Sequence, residues 1–165
     1  MTNIQELAVE RVNVVTTNTF ESVVARINAA IGHPDMAAFN NAFSATHNEA
    51  EMHRVVDPVT EPNDLMEFMR LDLGGVLHKE NEARTLRILR IIAGNPLIMK
   101  EMVKHVADAG SYAPVTILIE ERPHDVRIAY DRMASYLAPY GNNEALKVAR
   151  ELDAKVEKIL TDAAE

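Results

Sequence analysis

The tripeptide Gly94-Asn95-Pro96 separates an almost continuously apolar run, residues 86–92, from a segment with helical spacing. Asparagine is favoured immediately before a helix, proline is favoured at the first helical position, and glycine eases a tight turn. The tripeptide therefore predicts that an interior strand ends here and that a helix follows. A chain built around such a junction contains both strands and helices.

Apolar periodicity predicts the remaining elements. Alternating side chains indicate strands, and apolar residues at steps of three and four indicate helices, one of which Thr19 caps and Gly32 ends. The predicted order, β-α-α-β-β-α-β-β-α-α, favours a two-layer α+β fold in which a mainly antiparallel sheet carries helices packed on one face. The predicted strands are residues 8–16, 66–73, 86–92, 115–120 and 126–130, and Gly74-Gly75 is predicted to end the second of these.

Composition restricts the classes of function. The 165 residues suit a single domain spanning 1–165. The chain has no cysteine, which excludes disulfides and thiolate chemistry and suits a reducing compartment. With no leader-like segment after Met1 and no apolar run near the roughly 20 residues that span a bilayer, we expect a cytoplasmic protein without a membrane partner. The formal charge of −8 argues against a nucleic-acid partner.

Three segments carry a family resemblance: Ile92–Met99 with its Gly-Asn-Pro turn, the proline-entered Ser111–Val115, and Ile128–Met133 with its Tyr-Asp pair. In this order and spacing they resemble the bacterial domain-of-unknown-function family 302. The resemblance implies a compact two-layer α/β fold that is often dimeric. It implies no activity, because none is assigned to the family and a fold does not define a function.

The segment between residues 33 and 62 is the part of the chain that resembles this family least, and we interpret it as a helical insertion. Its apolar side chains follow helical spacing, Asp35 is placed to cap it, and Pro58 and Pro62 are placed to end it. We expect one amphipathic helix that covers the open face of the sheet or roofs a cavity, although dimer contacts explain the pattern equally well. The expected stripe consists of Met36, Phe39, Phe43, Thr46 and Ala50.

Five polar residues near predicted strand ends are candidate ligand-binding residues: Asn95, Ser111, Tyr112, Tyr130 and Asp131. These residues also have a structural explanation that needs no ligand. Asn95 would cap its own helix, Tyr130 would be a buried tyrosine with a hydrogen-bond partner, and Asp131 would cap the short helix that follows.

The six histidines form no recognisable metal-binding pattern, and we predict no metal site. If a haem is bound, its candidate axial ligands are His78, expected in a loop, and His105, expected on the apolar stripe of the helix after Pro96. A histidine on such a stripe is more often a core residue than a ligand. The cofactor, if any, is unknown from the sequence.

Three functions remain open. The first is a homodimeric small-molecule-binding protein with an apolar pocket between the sheet and the inserted helix. The second is a cofactor-dependent enzyme, for which haem would supply the chemistry that no motif in the chain supplies. The third is a structural or assembly module whose apolar stripes serve only contacts between chains. No motif decides whether the protein is an enzyme.

Overall fold

A five-stranded antiparallel sheet organises the part of the chain that the computed structural model describes, residues 1–83 and 85–165. Its strands are β1 (Arg11–Thr16), β2 (Met66–Asp72), β3 (Ile88–Gly94), β4 (Val115–Glu121) and β5 (Val126–Asp131). They lie in the order β1-β5-β4-β3-β2, and every neighbouring pair is antiparallel. The α+β class predicted from the sequence is confirmed.

Helices lie between the other strands and after β5, whereas a short hairpin turn joins β4 directly to β5. In the described residues they are α1 (Phe20–Ala30), α2 (Met36–Ser44), α3 (Glu49–Thr60), α4 (Leu73–Glu80), α5 (Pro96–Val103), α6 (Met133–Leu137) and α7 (Asn143–Ala164). Short 3₁₀ helices span Ala107–Ser111 and Ala138–Tyr140. The helix ends follow local chemistry: the Thr19 hydroxyl accepts from the Ser22 amide at the start of α1, as its position predicts.

Alternate side chains of the sheet form the core on one face. Ile91, Ile117, Ile119 and Ile128 are fully buried there, and α1, α5 and α7 pack over them. Burial of each such side chain contributes about 1.5–3 kcal/mol relative to leaving it in water. The amphipathic α7 supplies the longest opposing face. Its buried residues are Ala145, Ala149, Leu152, Asp153, Val156, Ile159, Leu160 and Ala163.

Residues 33–62, which the sequence analysis interprets as an insertion, form two helices, so the prediction of one continuous helix is wrong. Asn48 begins α3: its side chain accepts from the Glu51 amide at 3.0 Å, and the Glu51 carboxylate accepts in turn from the His47 amide at 2.8 Å. This reciprocal capping breaks the stripe and leaves Ala50 exposed. Pro58 lies inside the last turn of α3, where a proline costs only one helical hydrogen bond.

The two ends of the insertion are bonded to each other. The Gly32 amide donates to the Leu65 carbonyl, and the Gly32 carbonyl accepts from the Glu67 amide, both at 2.8 Å. Gly32 also lies against the end of α3, where a Cβ atom would stand 1.8 Å from the Val59 carbonyl oxygen. Only glycine permits this approach.

The observed bounds of α4 and α5 correct the predictions made for Gly74-Gly75 and for His78 and His105. The Gly74-Gly75 pair does not form a loop after β2, because the Asp72 carboxylate accepts from the Gly75 amide and begins α4 there. His78 is therefore an exposed helical residue. His105 is not on the stripe of α5, since that helix ends at Val103, and it lies exposed in the turn that follows.

Candidate functional site

An apolar cavity of about 480 Å³ opens where β3 ends and β4 begins. Helix α2 forms one wall and α5 another, and none of the lining side chains is ionisable. The lining residues are Phe39, Asn40, Phe43, Phe68, Gly94, Asn95, Pro96, Ile98, Met99, Met102, Val103, Gly110, Ala113, Pro114, Val115 and Leu152. Helix α2 therefore forms part of the wall of a cavity, which is one of the three roles considered for this segment from the sequence.

The wall from α2 is held by aromatic packing. The Phe39 and Phe43 rings, one helical turn apart, stack with centroids 5.7 Å apart. Phe39 is buried in a small apolar cluster of its own with Val56, Met66 and Leu97. Phe43 is only partly buried, so it contributes an accessible face to the apolar cavity.

Asn95 lies at the edge of the apolar cavity and caps α5. Its side-chain oxygen accepts from the Leu97 amide at 2.8 Å, and its amide nitrogen donates to the Asp64 carbonyl at 3.1 Å. Pro96 occupies the first turn of the helix. Both ends of the Asn95 side chain are thus engaged within the protein, as the structural interpretation of the tripeptide predicts.

A second, polar cavity of about 330 Å³ lies beside the first, where β4 begins and β5 ends. It brings together three of the predicted ligand-binding residues, Ser111, Tyr112 and Asp131. Pro114 and Val115 line both cavities. The lining residues of the polar cavity are Arg90, Ser111, Tyr112, Pro114, Val115, Thr116, Asp131, Met133 and Tyr136.

Tyrosines form one side of the polar cavity. The Tyr112 and Tyr136 rings stack with centroids 4.6 Å apart and an interplanar angle of 12°. The Tyr112 and Tyr140 hydroxyls are hydrogen-bonded at 3.0 Å. Burial, together with the nearby Asp131 carboxylate, raises the pKa of Tyr136. The sequence interpretation did not identify Tyr136, although its place in the helix after Asp131 was visible.

The two charged groups of the polar cavity differ in their partners. Asp131 accepts two hydrogen bonds from Arg11, at 2.6 and 2.8 Å, which hold the pKa of Asp131 below its usual range. Asp131 does not cap α6, so the structural explanation considered for Asp131 from the sequence is wrong. Among the described residues, the Arg90 guanidinium has no carboxylate partner and bonds only the Thr116 hydroxyl, at 3.2 Å. Arg90 was also missed by the sequence interpretation, in which it appeared only as a break in an apolar run.

The hydroxyl of Tyr130 points away from both cavities, into the core. It donates to the Asp153 carboxylate at 2.6 Å, and Tyr130 is only 1% exposed. Burial raises the pKa of both Tyr130 and Asp153 above their usual ranges. Tyr130 is thus the buried, hydrogen-bonded tyrosine of the structural alternative.

The histidines proposed for haem do not reach either cavity. Neither His78 nor His105 lines the apolar or the polar cavity, so no geometric observation supports them as axial ligands. Within residues 1–83 and 85–165, no cluster of three or more histidine or carboxylate side chains is arranged to hold a metal ion. No helix in the described part of the chain has the length and hydrophobicity to cross a membrane.

Comparison with known proteins agrees with this fold. A family model described as "Domain of unknown function DUF302" matches residues 43–163, well over half of the chain. The chain belongs to the DUF302 family. The match begins within the inserted segment and does not extend to β1 and α1.

A solved structure of another DUF302 protein has a similar fold. The uncharacterized conserved protein DUF302 from Bacillus stearothermophilus superposes with a TM-score of 0.64 over 94% of this chain and 98% of its own. The two sequences are 7% identical, so the likeness concerns the fold alone. None of the curated proteins matches this DUF302 member.

Proposed function

We propose that this DUF302 protein binds a small, largely apolar molecule in the apolar cavity. The observation that carries the proposal is the cavity itself, whose volume of about 480 Å³ lies within the range of roughly 300–1,000 Å³ found for ligand pockets. Apolar and aromatic side chains line it, as in most small-molecule sites. A ligand seated there would exchange water contacts for contacts with Phe43, Met99 and Val103.

Binding is favoured over catalysis by the chemistry of the lining. General acid–base catalysis needs a titratable side chain within hydrogen-bond reach of the substrate. The described lining of the apolar cavity offers none, and its one capping asparagine, Asn95, is already engaged at both ends. The arrangement supports retention of a ligand and gives no acid or base with which to transform it.

Titration with Prodan, a neutral naphthalene fluorophore whose emission moves to shorter wavelength in apolar surroundings, tests the proposal. We expect saturable binding to the native protein and a rise in its melting temperature, because the dye binds only the folded state. Phe43→Asp places a charge on the cavity wall and should weaken binding at least about tenfold, since burying an unpaired charge is costly.

Asn41→Asp is the matched control for this experiment. Asn41 is exposed on the same helix and does not line the cavity, so this variant adds the same charge and should bind Prodan like the wild type. The proposal fails if the wild type shows no saturable binding, or if the two variants bind Prodan equally well.

We also propose that two copies of the chain associate through the open face of the sheet. Met69 is 53% exposed on that face, beside the half-buried Ile88, Ile92 and Leu118. Apolar side chains grouped on an uncovered sheet face are typical of an interaction surface. A stable dimer would need to bury about 800 Å² of each partner there.

A further inference from the structure

The apolar and polar cavities flank the first residues of one strand, β4. The polar cavity takes Arg90 from β3, Thr116 from β4 and Asp131 from β5, and Pro114 and Val115 contribute to the walls of both cavities. Arg90 and Thr116 lie on the face of the sheet opposite the core, whereas Met102 and Leu152 of the apolar cavity belong to the core on the helical face. A flexible molecule that reaches both cavities would pass over Pro114 at the start of β4.

The polar cavity contains one positively charged group, the Arg90 guanidinium, that forms no ion pair with a described residue. The Arg90 guanidinium has no carboxylate partner in the described residues, whereas the Asp131 carboxylate in the same cavity is held by Arg11. The hydroxyls of Ser111 and Thr116 lie beside it as further hydrogen-bonding groups. A guanidinium presents paired N–H donors that match the two oxygens of a carboxylate.

We infer that the ligand is an amphiphilic carboxylate, with its apolar tail in the apolar cavity and its carboxylate at Arg90. The inference rests on the proposed function, since the tail needs the apolar cavity. A carboxylate, which carries a single negative charge, fits the polar cavity better than a phosphate does. Among its described lining residues this cavity has one cation without a carboxylate partner, Arg90, and it also contains the Asp131 carboxylate. The Arg90 contact with the Thr116 hydroxyl positions the guanidinium at the edge of the cavity.

Competition against bound Prodan tests the inference with two ligands of equal chain length, decanoate kept below its micelle-forming concentration and decanol kept below its solubility limit. Decanoate should displace Prodan at a concentration about tenfold lower than decanol does. That factor allows for the exposure of Arg90, which weakens a charged contact relative to a buried one.

Variants at Arg90 locate the head group. Arg90→Gln should remove the preference for decanoate and leave decanol unchanged, whereas Arg90→Lys should restore part of the preference. Arg54→Gln removes the same charge from an exposed position on α3 that lines neither cavity, and it should bind both ligands like the wild type. Arg90 is exposed, so these variants should keep the wild-type circular dichroism spectrum.

The outcomes separate the two proposals. If Prodan binds but decanoate and decanol compete equally in the wild type, the head-group inference is overturned and the apolar binding function stands. If the preference for decanoate survives in Arg90→Gln, the carboxylate lies elsewhere and the inference is again overturned. If neither Prodan nor decanol binds, the proposed function itself fails, and calorimetric titration with decanoate shows whether the polar cavity binds a carboxylate alone.

Discussion

Asp153 joins three elements through one buried carboxylate. Its two oxygens accept from the Tyr130 hydroxyl on β5 at 2.6 Å and from the Met133 and Ala134 amides of α6 at 2.7 and 3.0 Å. The Asp153 side chain on α7 therefore caps α6, whose preceding residue Arg132 makes no side-chain cap. The sequence offered a buried, hydrogen-bonded Tyr130 only as the alternative to a ligand contact, and it did not reveal the partner, because the two residues are 23 positions apart and meet only through the fold.

Removing either partner of the Tyr130–Asp153 contact should destabilise the protein, and the two losses should differ in size. Tyr130→Phe loses the bond to Asp153 and a long 3.4 Å bond from the Met133 amide, and it should cost about 0.5–1.5 kcal/mol of unfolding free energy. Asp153→Ala should cost more, because it leaves the Tyr130 hydroxyl and the Ala134 amide without an acceptor and leaves the Met133 amide only its long bond to Tyr130, at about 1–3 kcal/mol for a buried unpaired group. Urea denaturation of both variants measures the difference. Equal losses would mean that the amide bonds of Asp153 contribute nothing.

At the scale of single elements, predictions based on adjacent residues succeeded. The start of α5 was predicted because Asn95 and Pro96 act within one turn of the chain, where sequence and structure are directly linked. The break between α2 and α3 was missed although Asn48 and Glu51 carry a capping pattern, because the expected stripe continues across it through Thr46 to Ala50. The pairing of the two cavities was not predictable, since it depends on how separate elements are placed around Pro114 and Val115 at the start of β4.

The helix cap at Asn95 makes a separate prediction. Asn95→Ala should cost about 0.5–2 kcal/mol of unfolding free energy, because α5 loses the acceptor for its Leu97 amide. Asn95→Ser keeps an acceptor at this position and should cost less. Prodan affinity should stay within about twofold of the wild type in both variants, because the polar atoms of Asn95 are already engaged. A stable Asn95→Ala variant with lost binding would instead make Asn95 a ligand contact.

At the scale of the whole molecule, the proposed dimer through the open sheet face makes a testable prediction. Met69→Arg places a charge among apolar side chains and should convert a dimer to a monomer, which size-exclusion chromatography with light scattering measures. Ile4→Arg makes the same chemical change at an exposed residue outside the sheet and should remain dimeric. A monomeric wild type at high concentration, or an unchanged dimer in Met69→Arg, would exclude this face as the interface.

The hydrogen bonds that tie Gly32 to Leu65 and Glu67 close a loop of chain at the first residues of β2. Changes of length or sequence between these points need not disturb the strand register beyond them, and each doubling of a closed loop costs only about 0.6 kcal/mol of chain entropy. A protein engineer can therefore replace the wall formed by α2 to alter the shape of the apolar cavity, while the strand that carries Arg90 keeps its register.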